Sequence, residues 1–324
     1  MTQRWKRWGL FAILLAGLPV TYFLPQTGLI NPYFELVLKY IGINIILAVS
    51  LNLVNGYMGE FSVGHAGFMA IGAYTASFLT VAVFVREAGP LLFPLALIAG
   101  GIAAALAGLV LAFPSFRTRG DYLAIVTLAF NMIVKSVLEN LGLLGGPRGY
   151  MGMDPLATLT WVYVWLVLLL ILSRNFVYSK FGRGVLSIRE DETASGLVGV
   201  NTRQVKVLTF VISAFIAGIA GGLFAHVVQF INPRSFTILK STDMLVMVYL
   251  GGVGSLGGSI LGATIYTVLL EALRALLPLL GVSAEWRWVA APLFLVFLMI
   301  FRPRGIMGGR EFSIFHPRRE KEVV

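Results

Sequence analysis

The sequence predicts an all-α fold: a polytopic transmembrane helical bundle of about eight to ten spans, with its N- and C-termini cytoplasmic. Three observations carry that expectation. Of 324 residues, 58% are hydrophobic and only 12% charged, against about 25% charged in soluble domains. So few charges cannot cover a water-soluble surface of this size. The apolar residues also fall in long continuous runs, and about 18 such residues cross a bilayer. Only helices and closed barrels satisfy their own backbone in lipid, and these runs do not alternate as barrel strands do. Finally, the basic residues gather at a few connections and avoid the rest, the bias that orients membrane proteins.

The runs lie at 9–24, 34–54, 61–85, 91–113, 122–144, 159–172, 207–230, 244–253, 260–280 and 288–301. Arg4-Trp5-Lys6-Arg7 before the first run resembles a secretory signal. Leu18-Pro19-Val20-Thr21-Tyr22-Phe23 offers no small-residue cleavage site, so the run reads as an uncleaved first span. Arg4, Lys6 and Arg7, then Arg117 and Arg119, then the basic residues of 173–206, then Arg302, Arg304, Arg310, Arg318, Arg319 and Lys321 hold most of the 25 basic residues. All four groups fall on one side, taken as cytoplasmic, if 244–280 crosses twice or re-enters. Ten crossings, or eight with a re-entrant hairpin, satisfy the charges equally. The opposite connections hold only Arg86, Arg148, Arg234, Lys240 and Arg287.

Several function classes are excluded at this level. With no cysteine, no disulfide, thiol nucleophile or cysteine zinc site exists. The three histidines are scattered and predict no metal site. The net charge of +10 is that of a membrane protein. Nucleic-acid binding needs a basic, aromatic patch on a soluble face, and no soluble segment here exceeds a loop. Gly252-Val253-Gly254-Ser255-Leu256-Gly257 matches a dinucleotide fingerprint without a βαβ unit, and Gly258 stands where a phosphate loop needs lysine. No cofactor is expected in this chain.

The longest hydrophilic stretch, 173–206, contains Val185, Ile188, Ala194, Leu197 and Val198 around Arg189-Glu190-Asp191-Glu192, with Gly196, Gly199 and Asn201 as stop signals. This predicts one short helix within 184–201. Its acidic triplet disfavours contact with anionic lipid and favours docking into a groove of a cytoplasmic partner. Beyond residue 301, a charged tail, 302–324, is expected to be mobile.

Many of the 36 glycines cluster in 52–74 and 250–263. Aligning Gly64 with Gly254 makes both segments read G-x-x-G-x-x-x-x-G-A, through Gly67, Gly72, Ala73 and Gly257, Gly262, Ala263. This predicts an internal pseudo-repeat of the kind that marks transport pathways. Packing of small residues accounts for Gly100, Gly101, Gly218, Gly221 and Gly222. It accounts less well for 251–258, whose exposed backbone needs protein or a watery cavity. The candidate path is therefore Asn52, Asn55, Ser62, Gly64, His65, Gly67, Asn131, Gly251, Gly252, Gly254 and Ser255. Asn44, Asp243, His226 and Gln229 are further polar residues at or within spans. Lys135 with Glu139 and Glu271 with Arg274 are spaced to pair on one helix face.

Gly56-Tyr57-Met58-Gly59-Glu60-Phe61-Ser62-Val63-Gly64-His65-Ala66-Gly67-Phe68 with Ile71-Gly72-Ala73-Tyr74 resembles the signature segment of branched-chain amino-acid ABC importer permeases. So do Phe181-Gly182-Arg183-Gly184 running through Arg189-Glu190-Asp191-Glu192 to Gly199-Val200-Asn201, and Met247-Val248-Tyr249-Leu250-Gly251-Gly252-Val253-Gly254-Ser255. The likeness covers about 44–304. Arg119-Gly120-Asp121-Tyr122-Leu123-Ala124 and the loop 145–152 look like the M-type subunit. The resemblance implies a permease domain, 1–301, that moves Leu, Ile, Val and related substrates inward across a bacterial inner membrane by alternating access. It implies an H-type permease partner, two cytoplasmic ATPase subunits that bind ATP and Mg, and an extracytoplasmic binding protein. Coupling would then fall to Arg183, Gly184, Arg189, Glu190, Asp191, Glu192, Ala194 and Gly199. One departure stands out: such permeases carry E-A-A before the glycine, and here Thr193-Ala194-Ser195 precedes Gly199 with the glutamate at Glu192. Related permeases carry urea, short amides or sugars, and an ion-coupled carrier remains the competing class.

Overall fold

A computed structural model describes residues 15–28, 30–84, 89–116, 122–279, 281, 283–302, 304–308, 310–312 and 315. The basic residues Arg4, Lys6, Arg7, Arg117, Arg119, Arg318, Arg319 and Lys321 lie outside them. Helix α1 covers 15–26. Helix α2, Pro32–Asn52, starts where the Asn31 side chain accepts from Tyr33 N and Pro32 presets the first turn. It passes directly into a π-helical turn, Leu53–Met58, which Gly59 ends. Next come α3, His65–Phe78, α4, Gly89–Ser115, and α5, Tyr122–Asn140. Helices α6, Leu159–Val177, and α7, Lys180–Glu190, are capped by Thr158 and Ser179. Helix α8, Glu192–Leu197, is capped by Asp191, and α9, Thr202–Val228, by Asn201. The chain closes with α10, Ile238–Gly251, α11, Leu256–Leu279, and α12, Arg287–Phe301. Among the described residues the strands are a two-residue antiparallel pair, Tyr150 opposite Ile231 and Met151 opposite Phe230.

Seven described helical segments are long and apolar enough to cross a bilayer: Pro32–Met58, His65–Val83, Gly89–Ser115, Tyr122–Asn140, Leu159–Val177, Thr202–Val228 and Leu256–Leu279. Helix α10 has 14 residues, about 21 Å at 1.5 Å per residue, short of a core about 30 Å thick. The connection before it also folds into the bundle and buries Ile231 and Phe236. The run expected at 244–253 thus begins earlier, in residues expected to form an outer loop.

Helix α9 occupies the centre, against α2, α3 and α4. It can do so because a Cβ on Gly72 would collide with the Gly218 backbone, and one on Gly221 with Met69 O. Exposed apolar side chains such as Val110 and Ile125 line the outer face, as lipid or a neighbouring subunit requires.

Two expectations are corrected. The single helix expected within 184–201 is two helices, because Asp191 leaves the helical region (φ −158°, ψ 112°) to cap α8, its Oδ1 accepting from Ala194 N at 2.9 Å. The tail is also no free appendage in its described part. Ile306 N and Met307 N donate to Leu250 O and Gly251 O, both at 3.0 Å, and Phe315 is buried. The cause lies in the helix ends: the last carbonyls of α10 and first amides of α11 lack partners within their own helices, and the tail supplies them.

Candidate functional site

At one end of the bundle, α7 and α8 protrude. Glu190, Asp191, Glu192, Ala194 and Gly199 are exposed along them, as is Arg183 on the same pair. The tip is apolar: Leu197 is 85% and Val198 79% exposed, two residues that the charge pattern of this loop had overshadowed. The pair is tied back at two points. Arg189 Nη1 donates to Gly56 O in the π-turn at 3.0 Å. Lys206 Nζ, on α9, bridges Glu60 Oε1 at 2.6 Å and Glu192 Oε2 at 2.8 Å. Gly184 packs beside Val200 and Val205, at the root of the pair.

Beneath this bridge the two glycine-rich segments meet. Asn52 Nδ2 donates to Ser255 O at 2.8 Å and to Ser259 Oγ at 2.7 Å, while Gly254 N donates to Asn52 Oδ1 at 2.9 Å. The tight turn from α10 to α11 needs positive φ at Gly252 (127°) and Gly254 (77°), conformations that side chains with a Cβ resist. Gly251 lies flush against Gly258. The Glu311 carboxylate of the tail caps α11, accepting from Leu256 N at 2.7 Å and Gly257 N at 2.8 Å.

The other path candidates form a second cluster at the start of α3. Asn55 and Ser62 exchange side-chain-to-backbone hydrogen bonds at 3.2 and 3.3 Å. Gly64 and Gly67 bring α3 onto Thr127, Phe130 and Asn131 of α5. His65 Nε2 lies 3.0 Å from Ser213 Oγ, whose proton goes to Ser50 O at 2.5 Å. Ser213 therefore accepts, and His65 carries its proton on Nε2. Ser62 Oγ, His65 Nδ1 and Asn131 Oδ1 are buried without a hydrogen-bond partner among the described residues. The structure thus brings Asn52, Gly251, Gly252, Gly254 and Ser255 together in one packed cluster, and Asn55, Ser62, Gly64, His65, Gly67 and Asn131 around the adjoining start of α3.

From Asn52 a polar seam climbs between α2 and α11. Asn44 Nδ2 donates to Thr267 Oγ1 at 2.9 Å, as Asn52 donates to Ser259. The step from 44 to 52 matches the step from 267 to 259, about 12 Å along each antiparallel helix. Midway in this register stand Ala48 and Ala263, both fully buried. Above the Asn44 rung, away from the α7–α8 end, a cavity of about 270 Å³ opens, lined by residues that include Tyr40, Asn44, Lys240, Asp243, Thr267 and Glu271. None of the eleven path candidates lines it. Glu271 lies 3.7 Å from Arg274 and accepts from Tyr33 Oη at 2.7 Å. Lys135 and Glu139 are 3.9 Å apart, with Arg234 equally far from Glu139. Among the described residues no cluster of three metal-binding side chains is present.

A helical bundle with an interrupted polar seam and a protruding helix pair strapped to it is a transport permease of the multi-pass inner-membrane class. The chain belongs to the family described as the permease component of the branched-chain amino acid transport system, whose family model matches residues 33–301. It is 35% identical over 300 residues to the high-affinity branched-chain amino acid transport system permease protein LivM of Escherichia coli (strain K12), covering 82% of this chain and 68% of that protein. It is 26% identical over 336 residues to a probable LivM of Methanocaldococcus jannaschii, covering 90% and 97%. It is 25% identical over 288 residues to LivH of Escherichia coli (strain K12), covering 82% and 91%. No solved structure matches the chain.

Proposed function

We propose that this chain is the M-type permease subunit of an ATP-driven importer, passing Leu, Ile and Val inward by alternating access. Its partners in this reading are an H-type permease, two ATPase subunits that bind ATP and Mg, and an extracytoplasmic binding protein. One observation carries the coupling: the exposed helix pair is fastened to the broken end of α2, by Arg189 to Gly56 and by Lys206 to Glu60. A partner that seats Leu197 and Val198 in a groove and then moves them pulls on the turn beside Asn52, where the path candidates are packed shut. Energy released on another subunit thereby reaches the seam without a nucleotide site in this chain.

The test is leucine uptake into proteoliposomes holding all subunits. Uptake should require ATP and the binding protein, and Leu197→Asp with Val198→Asp should abolish it while the chain still inserts. Uptake by this chain alone under an ion gradient would replace the proposal with a secondary carrier. Full uptake by the double variant would overturn the docking assignment.

A further inference from the structure

The cavity above the Asn44–Thr267 rung carries charges that the fold does not require. Side chains from α2, α9, α10, α11 and α12 converge there, at the end of the bundle opposite α7 and α8. Ionisable groups at such depth are costly and mark pathways unless they serve one another. Glu271 and Arg274 do serve one another, at 3.7 Å. Lys240 and Asp243 attract each other without closing into such a pair. They sit one turn apart on α10, on the same face, yet make no ion pair with each other. Asp243 Oδ1 accepts from Tyr266 Oη at 2.6 Å, and its second oxygen has no hydrogen bond among the described residues. Lys240 has no ion pair or hydrogen bond among the described residues. Its Nζ stands 5.7 Å over the Phe224 ring. Both groups face the cavity, so a cation and an anion are held side by side with capacity to spare.

The rest of the lining is mixed: Glu271, Arg274 and Arg287 are charged, and Asn44 and Thr267 are polar. Phe224, Met247 and Leu270 contribute apolar surface. At about 270 Å³ the space lies just below the about 300 Å³ at which drug-sized pockets begin, which suits one small molecule and no more.

We propose that this cavity holds an α-amino acid in transit, Lys240 meeting its carboxylate, Asp243 its ammonium and the Phe224–Met247–Leu270 wall its side chain. The proposal rests on the importer reading above and adds a station within the membrane where the substrate's zwitterionic head is recognised. A neutral solute such as urea would have no use for the pair. A zwitterion leaving water needs both charges compensated at once, because an uncompensated charge in a low-dielectric passage is the dominant cost of crossing. The Asn44–Thr267 rung closes the floor, so release inward requires that hydrogen bond, and then the Asn52 cluster, to open.

The experiment uses the complete transporter in proteoliposomes with labelled L-leucine. Lys240→Gln and Asp243→Asn should each lower the initial uptake rate at least tenfold while all subunits still co-purify. The exchange Lys240→Asp with Asp243→Lys should not restore uptake, because each end of the substrate is read at a fixed place. Wild-type rates in the single variants, or recovery in the exchange, would overturn the proposal, since two residues serving only each other would tolerate the swap. Should the variants fail to assemble, Leu270→Cys in this cysteine-free chain provides a second measurement. Leucine with its binding protein should slow thiol labelling there severalfold, and unchanged labelling overturns the site. Absence of leucine uptake by the wild-type transporter would instead refute the importer reading.

Discussion

Asn52 shows how much one side chain holds together. It is fully buried and serves Gly254 N, Ser255 O and Ser259 Oγ at once. Asn55, one turn on, makes two longer hydrogen bonds, both with Ser62, among the described residues. Leaving a buried donor or acceptor unpaired costs about 1–3 kcal/mol. Asn52→Leu should therefore lose several kcal/mol and a marked part of the melting temperature of the purified complex, and Asn55→Leu clearly less. Equal melting shifts would mean that the turn after α10 is held by something other than Asn52. That Asn52 matters was legible in the sequence, because an asparagine in an apolar run must find partners. What those partners are was not. They lie about 200 residues further along the chain, and local spacing carries no information about which helix stands opposite. Lys240 was misjudged for a related reason: a lysine between two runs looks like a loop residue until the connection before it folds into the bundle.

Helices in this molecule approach each other through glycine, and that too can be measured. A single methyl on Gly221 would meet the Met69 carbonyl oxygen, whereas one on Gly142 would meet nothing within 4 Å. Overpacking a tight contact typically costs about 1–3 kcal/mol, more when backbone must yield. Gly221→Ala should broaden the size-exclusion profile and lower the melting temperature of the complex, and Gly142→Ala should do neither. The small-residue stripes that place α9 at the centre were visible as glycine spacing alone. The π-turn at Leu53–Met58 was not, because the Arg189 that meets it lies outside its own segment, and the break at Asp191 was not, because a local cap to Ala194 N sits inside what reads as one continuous helix pattern. The π-turn carbonyl of Gly56 receives Arg189, and Glu192 is held by Lys206. The docked tail belongs with them. Glu311 in a charged terminus looks solvated until the bare amides of α11 are placed beside it.

At the scale of the molecule, α2 is the member that joins the two ends. It carries Tyr40 and Asn44 at the cavity, Asn52 at the packed cluster and, through the π-turn, Gly56 beside Arg189. Just past it comes Glu60, where Lys206 connects three parts: the entry to α3, the central helix α9 and α8. The two arms of this bridge differ. Glu192 is about half exposed, and an ion pair so open to solvent contributes little to stability, whereas Lys206 and Glu60 are 9% and 22% exposed and removing one leaves a largely buried charge unpaired. The further consequence of the bridge is mechanical. Lys206→Met removes the cation between two carboxylates, so α8 can shift without carrying Glu60 along. ATP hydrolysis by the assembled transporter should then persist while leucine uptake falls, and the number of leucines moved per ATP should drop severalfold. Glu60→Gln, which leaves Lys206 paired with Glu192, should lower that ratio less. A variant in which hydrolysis and uptake fall in proportion would show that the bridge sets the rate of the cycle and not its coupling, and that the force reaches α2 through Arg189 alone.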